Sequence, residues 1–219
     1  MQFAAMSEQR RSRLSVLEVS AFVLLLLSYI WGWQGAFRGS LAVIIAGGLG
    51  LIVVSNFVIH RDRARALGLR VDNLPRSLLE VGAVTAVLIL LLVGSGWALG
   101  TLHPVRPLTI SRLPWLFFWA FAQQYALQGF VFTRLREVTS GGQAAIISAA
   151  GLFALLHLPN PPLTAATLIM GYVWCSLFRR CPNLFTLALS HTILAIVLSH
   201  SLPRAWMHGM KVGPGYFNF

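Results

Sequence analysis

Three amides and two imidazoles are the side chains best suited to chemistry within the apolar parts of this sequence. Gln123, Gln124 and Gln128 lie in QQYALQG, inside the apolar run PWLFFWAFAQQYALQGFVF, and His157 and His191 lie in the later apolar stretches FALLH and LALSHTILA. Polar groups at membrane depth cost free energy unless they are hydrogen-bonded, so they are functional candidates by default. Amides can orient a water molecule, and imidazoles can move protons or bind metals.

The same residues also allow structural and cofactor-binding explanations. Gln124 and Gln128 are one helical turn apart on one face, and glutamines bridge membrane helices for about 1 kcal/mol or less each. Two histidines could instead bind a metal, relay protons or, as a remote alternative, hold a haem b. A zinc site normally has a third protein ligand, and the nearest acids, Glu18, Glu80 and Glu137, are expected at helix ends. Zinc is therefore left open but not implied, and the expectation is that no cofactor is needed.

The composition indicates that these residues belong to an integral membrane protein. The 219-residue chain is 57% hydrophobic and only 11% charged, whereas soluble domains are nearer 25% charged. Its net charge of +11 would suit nucleic acid in a soluble protein, but the arginines cluster between apolar runs, where they meet lipid headgroups. No nucleic-acid partner is expected. Cys175 and Cys181 form no CxxC motif and predict no disulfide or thiolate metal site.

Seven apolar runs predict an all-α bundle of seven, or eight, transmembrane helices. The fifth and sixth runs are short for complete spans, and the first fits an uncleaved span better than a signal peptide. Gln123 and Arg134 are eleven residues apart, so an α-helix would place them on one polar stripe. The runs cover 17–36, 40–59, 78–102, 114–133, 143–158, 163–178 and 184–201.

The arginines predict how the helices are oriented. With the N-terminus inside, twelve of the Lys and Arg residues fall on the inner side and five on the outer side, namely Arg38, Arg106, Arg112, Arg204 and Lys211. Positive charge favours the cytoplasmic side, so the N-terminus is expected in the cytoplasm, with the chain in a bacterial inner (plasma) membrane. The polar segment 60–76 is expected to be an interfacial loop or a short amphipathic helix.

The order of the polar clusters resembles a known family. A helix with E-E-x-x-x-R-G, followed by F-x-x-x-H and then H-x-x-x-N, is typical of the CAAX-protease and bacteriocin-processing (CPBP, or Abi) family of intramembrane glutamic endopeptidases. Here the three positions read QQYALQG, Phe153-x-x-x-His157 and His191-x-x-x-Ala195, between about Pro114 and Ser201. The resemblance implies a shared cavity with catalytic residues His157, His191, Gln123 and Gln124, lined by Gln128, Phe153 and Ala195.

The departures from the family pattern change the chemistry that the site could perform. In the family, the first glutamate and a histidine activate a water molecule that attacks a peptide carbonyl, and the other histidine and the asparagine stabilise the oxyanion. Gln123 can orient a water but cannot take its proton, and Ala195 donates no hydrogen bond. Gln128 cannot form the ion pair of the family arginine, although no carboxylate remains for it to balance. An ionic site has thus become a neutral amide site.

Two functions follow from the resemblance. In one, the chain is an endopeptidase that cleaves a membrane-associated protein or peptide, with His157 or His191 as the base. In the other, it is an inactive pseudoprotease that binds a membrane protein partner in the same cavity. The expected organisation is an N-terminal helical region with the basic loop (1–110), a protease-like helical core (111–203) and a C-terminal tail (204–219).

Overall fold

The structure, a computed structural model, describes residues 7–33, 40–105 and 107–218, and these residues form helices and turns without a β-strand. The helices are α1 (Glu8–Ser28), α2 (Ser40–Val53), α3 (Leu74–Ala98), α4 (Pro107–Ser111), α5 (Leu113–Gln124), α6 (Thr133–Val138), α7 (Gly142–Leu155), α8 (Pro161–Arg180), α9 (Leu184–Ser201) and α10 (Arg204–Met207). Wider π-helical turns follow α1 (Tyr29–Trp33) and α2 (Val54–Ile59) and join α5 to α6 (Tyr125–Phe132).

The chain is an all-α integral membrane protein, which confirms the predicted fold class. Among the described residues, four helical segments are long and apolar enough to cross a membrane: Glu8–Gly32, Leu74–Ala98, Pro161–Arg180 and Leu184–Ser201. The prediction that the sixth run is short was wrong, because α8 has 20 residues and extends beyond the run at both ends. The fifth run does form a short helix, the 14-residue α7. Positions 34–36, Arg38 and Arg106 lie outside the described residues.

Small residues bring α7 and α8 close together. A Cβ atom at Gly171 would lie only 3.2 Å from the Ala150 Cα atom, and Ala145, Ala149 and Ala150 are fully buried. Close backbone approach through small side chains is the usual way in which membrane helices associate without a hydrophobic driving force. α9 packs against both α3 and α5, so it joins the first half of the chain to the helix that carries Gln123 and Gln124.

The basic segment 60–76 folds onto the turn between α8 and α9. Gly68 has a positive φ of 80°, its carbonyl accepts from the Leu184 backbone N–H at 3.0 Å, and Asn183 Nδ2 donates to the Arg70 carbonyl at 3.0 Å. Asn183 also caps α9 by accepting from the Thr186 N–H at 3.2 Å. The segment forms turns rather than an amphipathic helix, and α3 begins within it at Leu74. We call this side of the bundle the basic end.

The C-terminal tail closes the opposite end of the bundle. Asn160 caps α8 through the Leu163 N–H, and its Nδ2 donates to the Met207 carbonyl at 2.8 Å and the Lys211 carbonyl at 3.2 Å. The Gly213 N–H donates to the Leu158 carbonyl at 2.8 Å. The stretch LPNPP that follows His157 is therefore held by the tail.

We expect Gly68→Ala to destabilise the protein by about 2 kcal/mol, because alanine is strained at positive φ and the new methyl group would meet packed atoms. An added Cβ would lie 2.6 Å from Phe178 and 3.2 Å from the Leu184 backbone nitrogen. Gly82→Ala in α3 is the control, because a Cβ there meets nothing within 4 Å. Thermal unfolding in detergent micelles measures both variants, and an equal effect on the two would contradict the packing described.

Candidate active site

Gln124 connects the glutamine helix to the histidine of α9. It is the last residue of α5, it is fully buried, and its Nε2 lies 3.2 Å from His191 Nδ1. Gln128, one turn further along and also fully buried, donates from Nε2 to Gln124 Oε1 at 3.4 Å. The Gln128 Oε1 atom has no hydrogen-bond partner among the described residues. The structure therefore brings three of the predicted side chains into one chain of contacts.

The direction of these hydrogen bonds assigns the His191 tautomer. Because Gln128 donates to Gln124 Oε1, the NH₂ group of Gln124 is the atom group that faces His191. His191 Nδ1 then accepts, and in a neutral imidazole the proton is carried by Nε2. Nε2–H is thus available as a donor.

His157 holds the opposite tautomer. Its Nδ1 lies 2.7 Å from the Phe153 carbonyl, one turn earlier at the end of α7. A carbonyl can only accept, so Nδ1 carries the proton and Nε2 has a free lone pair. The His157 ring packs edge-on against the Phe153 ring at 4.8 Å between centroids, and the same Phe153 ring lies 6.2 Å from His191. Phe153 is therefore shared by the two imidazoles.

Gln123 and Ala195 lie beside this cluster without joining it. Gln123 is half-buried, and no described side-chain hydrogen bond connects it to either histidine, since those contacts come from Gln124. Ala195 follows His191 by one turn of α9, is half-buried and contributes only a methyl group. Their predicted participation in the site stays a prediction.

Trp174 packs against His191 and is linked to two further polar residues. Trp174 of α8 lies against the imidazole with 4.6 Å between ring centroids and 31° between planes. Its Nε1–H donates to Ser190 Oγ at 3.1 Å, and Ser190 Oγ lies 2.8 Å from Thr85 Oγ1 of α3. Ser190 could have been suspected from its position beside His191, but an aromatic residue within an apolar run gives no such signal.

Metal binding receives no support from the described residues. They contain no group of three His, Cys, Asp or Glu side chains arranged to hold a metal ion. A zinc site would need additional ligands beyond His157 and His191. The expectation that no cofactor is needed stays a prediction.

A second polar centre, which we call the ionic cluster, lies at the basic end and consists of Arg11, Ser15, Glu18, Ser55, Asn56, His60, Asp62, Arg134 and Glu137. Arg134 is fully buried and donates to Glu137 at 2.9 Å, to Asn56 Oδ1 at 2.7 Å and to Asp62. Arg11 donates to Glu137 at 2.9 Å. The cluster thus joins α1, the end of α2, the basic loop and α6.

Glu18 does not lie at a helix end, so that prediction was wrong. It lies in the middle of α1 rather than at a helix end, and only 8% of its surface is exposed. Its carboxylate accepts from Ser55 Oγ at 2.9 Å and lies 3.0 Å from His60 Nε2. The other nitrogen of His60 lies 3.2 Å from Glu137. A buried acid is stable here because these partners surround it.

The ionic cluster extends to the helix that carries the glutamines. Asn56 Nδ2 donates to the Gly129 carbonyl at 3.0 Å and lies 3.3 Å from the Tyr125 hydroxyl. Both residues belong to the π-helical turn Tyr125–Phe132, which directly follows Gln124. π-Helical turns leave backbone groups without their usual α-helical partners and are frequent at functional sites. The predicted stripe from Gln123 to Arg134 assumed α-helical rotation, whereas residues Tyr125–Phe132 form a π-helical turn.

The comparisons with known proteins give one match. Residues 105–197 match the family model described as Rce1-like, type II CAAX prenyl endopeptidase Rce1-like. The chain matches none of the curated proteins or solved structures with which it was compared. The matched region begins just before α4, ends within α9 and contains every residue of the glutamine–histidine cluster. It confirms the family resemblance predicted from the sequence and indicates a membrane endopeptidase-type function.

We expect Gln124→Ala to cost about 2–3 kcal/mol of stability, because it leaves a cavity and removes the partners of His191 and Gln128. Gln123→Ala, at the half-buried neighbouring position, is the matched control and should cost less than about 1 kcal/mol. Thermal unfolding in micelles of one detergent gives the comparison. A larger loss in the Gln123 variant would mean that the buried contacts are assigned to the wrong glutamine.

The Glu137 carboxylate makes stability depend on pH in the acid range. Burial alone would raise the pKa of this carboxyl. Its contacts lower the pKa from an ordinary 4.5 to about 2 instead, and they come from His60, Arg11, Ser15 and Arg134. A carboxyl with a lowered pKa contributes stability above its ordinary pKa, and this contribution is lost as the pH falls from about 4.5 towards 2.

We therefore expect the unfolding temperature of the wild-type protein to fall over that range. Glu137→Gln should be less stable at pH 7 and should lose less stability over the same acid range. Glu80→Gln, which removes the exposed pair with Arg76, is the control and should behave like wild type. Identical pH dependence in the wild type and the Glu137 variant would contradict the assigned role.

Proposed function

We propose that this chain hydrolyses a peptide bond in a membrane-associated protein, with His157 as the general base and His191 as the oxyanion donor, because residues 105–197 match the Rce1-like endopeptidase model. The observation that carries this proposal is the pair of opposite tautomers. His157 presents a bare Nε2, and His191 presents an Nε2–H. Amide hydrolysis requires one acceptor for the proton of water and one donor for the carbonyl oxygen.

The reaction can be completed without a carboxylate. The water oxygen attacks the carbonyl carbon while its proton passes to His157 Nε2. The tetrahedral oxyanion accepts a hydrogen bond from His191 Nε2–H. When the C–N bond breaks, the proton held by His157 passes to the leaving nitrogen, which gives a new carboxyl terminus and a new amine. The proton is conserved, and no oxidant or other co-reactant is consumed.

In this mechanism the glutamines orient His191 and the attacking water rather than transfer a proton. Gln124 holds His191 Nδ1 as an acceptor, which keeps the proton on Nε2. Gln123, half-buried one residue earlier, is proposed to orient the attacking water through its amide. Neither amide can take a proton from water, so the base must be an imidazole. Gln128 stabilises Gln124 through its NH₂ group, and Phe153 and Ala195 are proposed to line the cavity.

The family description supports a substrate class. The matching model is named for a CAAX prenyl endopeptidase, that is, for substrates with a CAAX motif and a prenyl group. A site within a helix bundle is suited to such a substrate, because the polypeptide reaches it from the bilayer or its surface. We propose a membrane-associated protein or peptide cleaved near its C-terminus.

A second candidate function, binding of a partner without cleavage, is supported by the replacement of the family's motif residues. Gln123 and Gln124 replace the two carboxylates of the family motif, and Ala195 replaces its asparagine. A cavity that has lost these groups could bind a membrane protein tail without cleaving it. The two functions differ in whether new peptide termini are formed.

We expect wild-type protein, reconstituted in vesicles with a membrane-protein extract in H₂¹⁸O, to generate new C-terminal carboxyl groups that contain ¹⁸O. His157→Ala should reduce the rate by about 10³-fold, as expected for loss of a general base. His191→Ala should reduce it by about 10²-fold through loss of the oxyanion donor. Mass spectrometry of the extract measures the labelled termini.

His103→Gln, in the segment after α3, is the matched control and should retain the wild-type rate. Full cleavage by both the His157 and His191 variants would exclude the mechanism. If the wild-type protein produces no labelled termini but enriches a tail-containing partner, the binding function replaces the enzymatic one.

A further inference from the structure

Trp174 is placed so that it fixes the orientation of His191. The indole is 3% exposed and lies against the imidazole at 4.6 Å with the two planes 31° apart. Phe153 closes a second side, because its ring is perpendicular to His191 at 6.2 Å and lies 6.4 Å from Trp174. With Nδ1 held by Gln124, the imidazole is contacted by two aromatic rings and fixed at one nitrogen.

The indole is itself held by a chain of hydrogen bonds that has only one direction. An indole nitrogen can only donate, so Trp174 Nε1–H donates to Ser190 Oγ at 3.1 Å. Thr85 Oγ1 donates to the Val81 carbonyl at 2.7 Å, and a carbonyl can only accept. The single proton of Ser190 must therefore point to Thr85 Oγ1, 2.8 Å away. Each proton in the chain has one acceptor.

This chain connects the site to a helix outside the family match. Val81 and Thr85 belong to α3, which precedes the matched region 105–197. Ser190 precedes His191 on α9, and α3 and α9 pack along each other. The orientation of the indole, and through it that of the imidazole, depends on contact between these two helices.

We propose that Trp174 is a positioning residue for His191: it holds the imidazole in the one rotamer that directs Nε2–H towards the substrate carbonyl, and the Ser190–Thr85 chain holds Trp174. This inference rests on the proposed function, because the orientation of Nε2–H matters to a substrate only if His191 stabilises an oxyanion. A purely packing role for Trp174 would require its ring but not its N–H group.

The experiment separates the ring from the N–H group. Trp174→Phe keeps an aromatic ring and removes the donor, Trp174→Leu removes both, and Thr85→Val removes the far end of the chain. Trp97→Phe is the matched control, because Trp97 is 78% exposed on α3. Two readouts are measured on the full chain in vesicles: the ring ¹⁵N signals of His191, assigned with His191→Gln, and the kcat and KM of ¹⁸O-labelled cleavage.

In wild type and Trp97→Phe we expect one His191 species, protonated at Nε2. Trp174→Phe and Thr85→Val should each give a second His191 species and lower kcat by about tenfold with little change in KM. Trp174→Leu should lower kcat by about 10²-fold, the loss typical of a misplaced catalytic group. Circular dichroism identifies any variant that fails to fold, and Thr85→Val tests the chain without altering the tryptophan.

The inference is overturned if His191 remains a single Nε2–H species in both Trp174 variants. It is also overturned if Trp174→Phe behaves like wild type in both readouts, since the ring alone would then suffice. Absence of cleavage by the wild-type protein rejects the proposed function instead, and the ¹⁵N signals still report whether Trp174 orients His191.

Discussion

The bundle depends on how it accommodates the buried charge of Arg134. A fully buried guanidinium is stable only when acceptors surround it, and here they come from three separate segments: Asn56 at the end of α2, Asp62 in the basic loop and Glu137 in α6. Removing one partner of such a group would leave a charge without compensation. The ionic cluster therefore specifies how the N-terminal helices meet the family-matched region, and through Asn56 it contacts the π-helical turn that follows Gln124.

The sequence predicted the polar residues of the site better than it predicted their partners. Glutamines and histidines are conspicuous in apolar runs, so Gln124, Gln128, His157 and His191 could be singled out without a structure, and the helices that carry them follow from apolar run length. Trp174 could not be found in this way, because an indole in an apolar run is equally typical of the core. Its importance depends on the contact between α8 and α9, which no local pattern encodes.

The errors have a common physical origin in tertiary contacts. Glu18 was expected at a helix end because the apolar run begins at residue 17, yet α1 begins at Glu8, and Ser55 and His60 compensate the buried carboxylate. The stripe from Gln123 to Arg134 assumed 100° per residue, but the π-helical turn Tyr125–Phe132 changes the rotation between them. The segment 60–76 does form the predicted loop, but its docking by Gly68 and Asn183 against the start of α9 is a tertiary contact that periodicity alone cannot report.

The distribution of charge explains how a buried site without carboxylates can be stable. Among the described residues, the one buried acid, Glu18, lies in the ionic cluster beside the half-buried Asp62 and Glu137, whereas the Gln124–His191 contact is formed by two neutral groups. Neutral polar groups cost less to bury than ions when each is hydrogen-bonded, so the site needs no counter-charge. What it loses is a carboxylate base. In the proposed mechanism an imidazole takes the proton instead, and His157, whose Nδ1 donates to the Phe153 carbonyl, presents its second nitrogen for that purpose. The proposed base therefore follows α7, whereas the motif of the resembling family has its glutamates at the positions of Gln123 and Gln124 on α5.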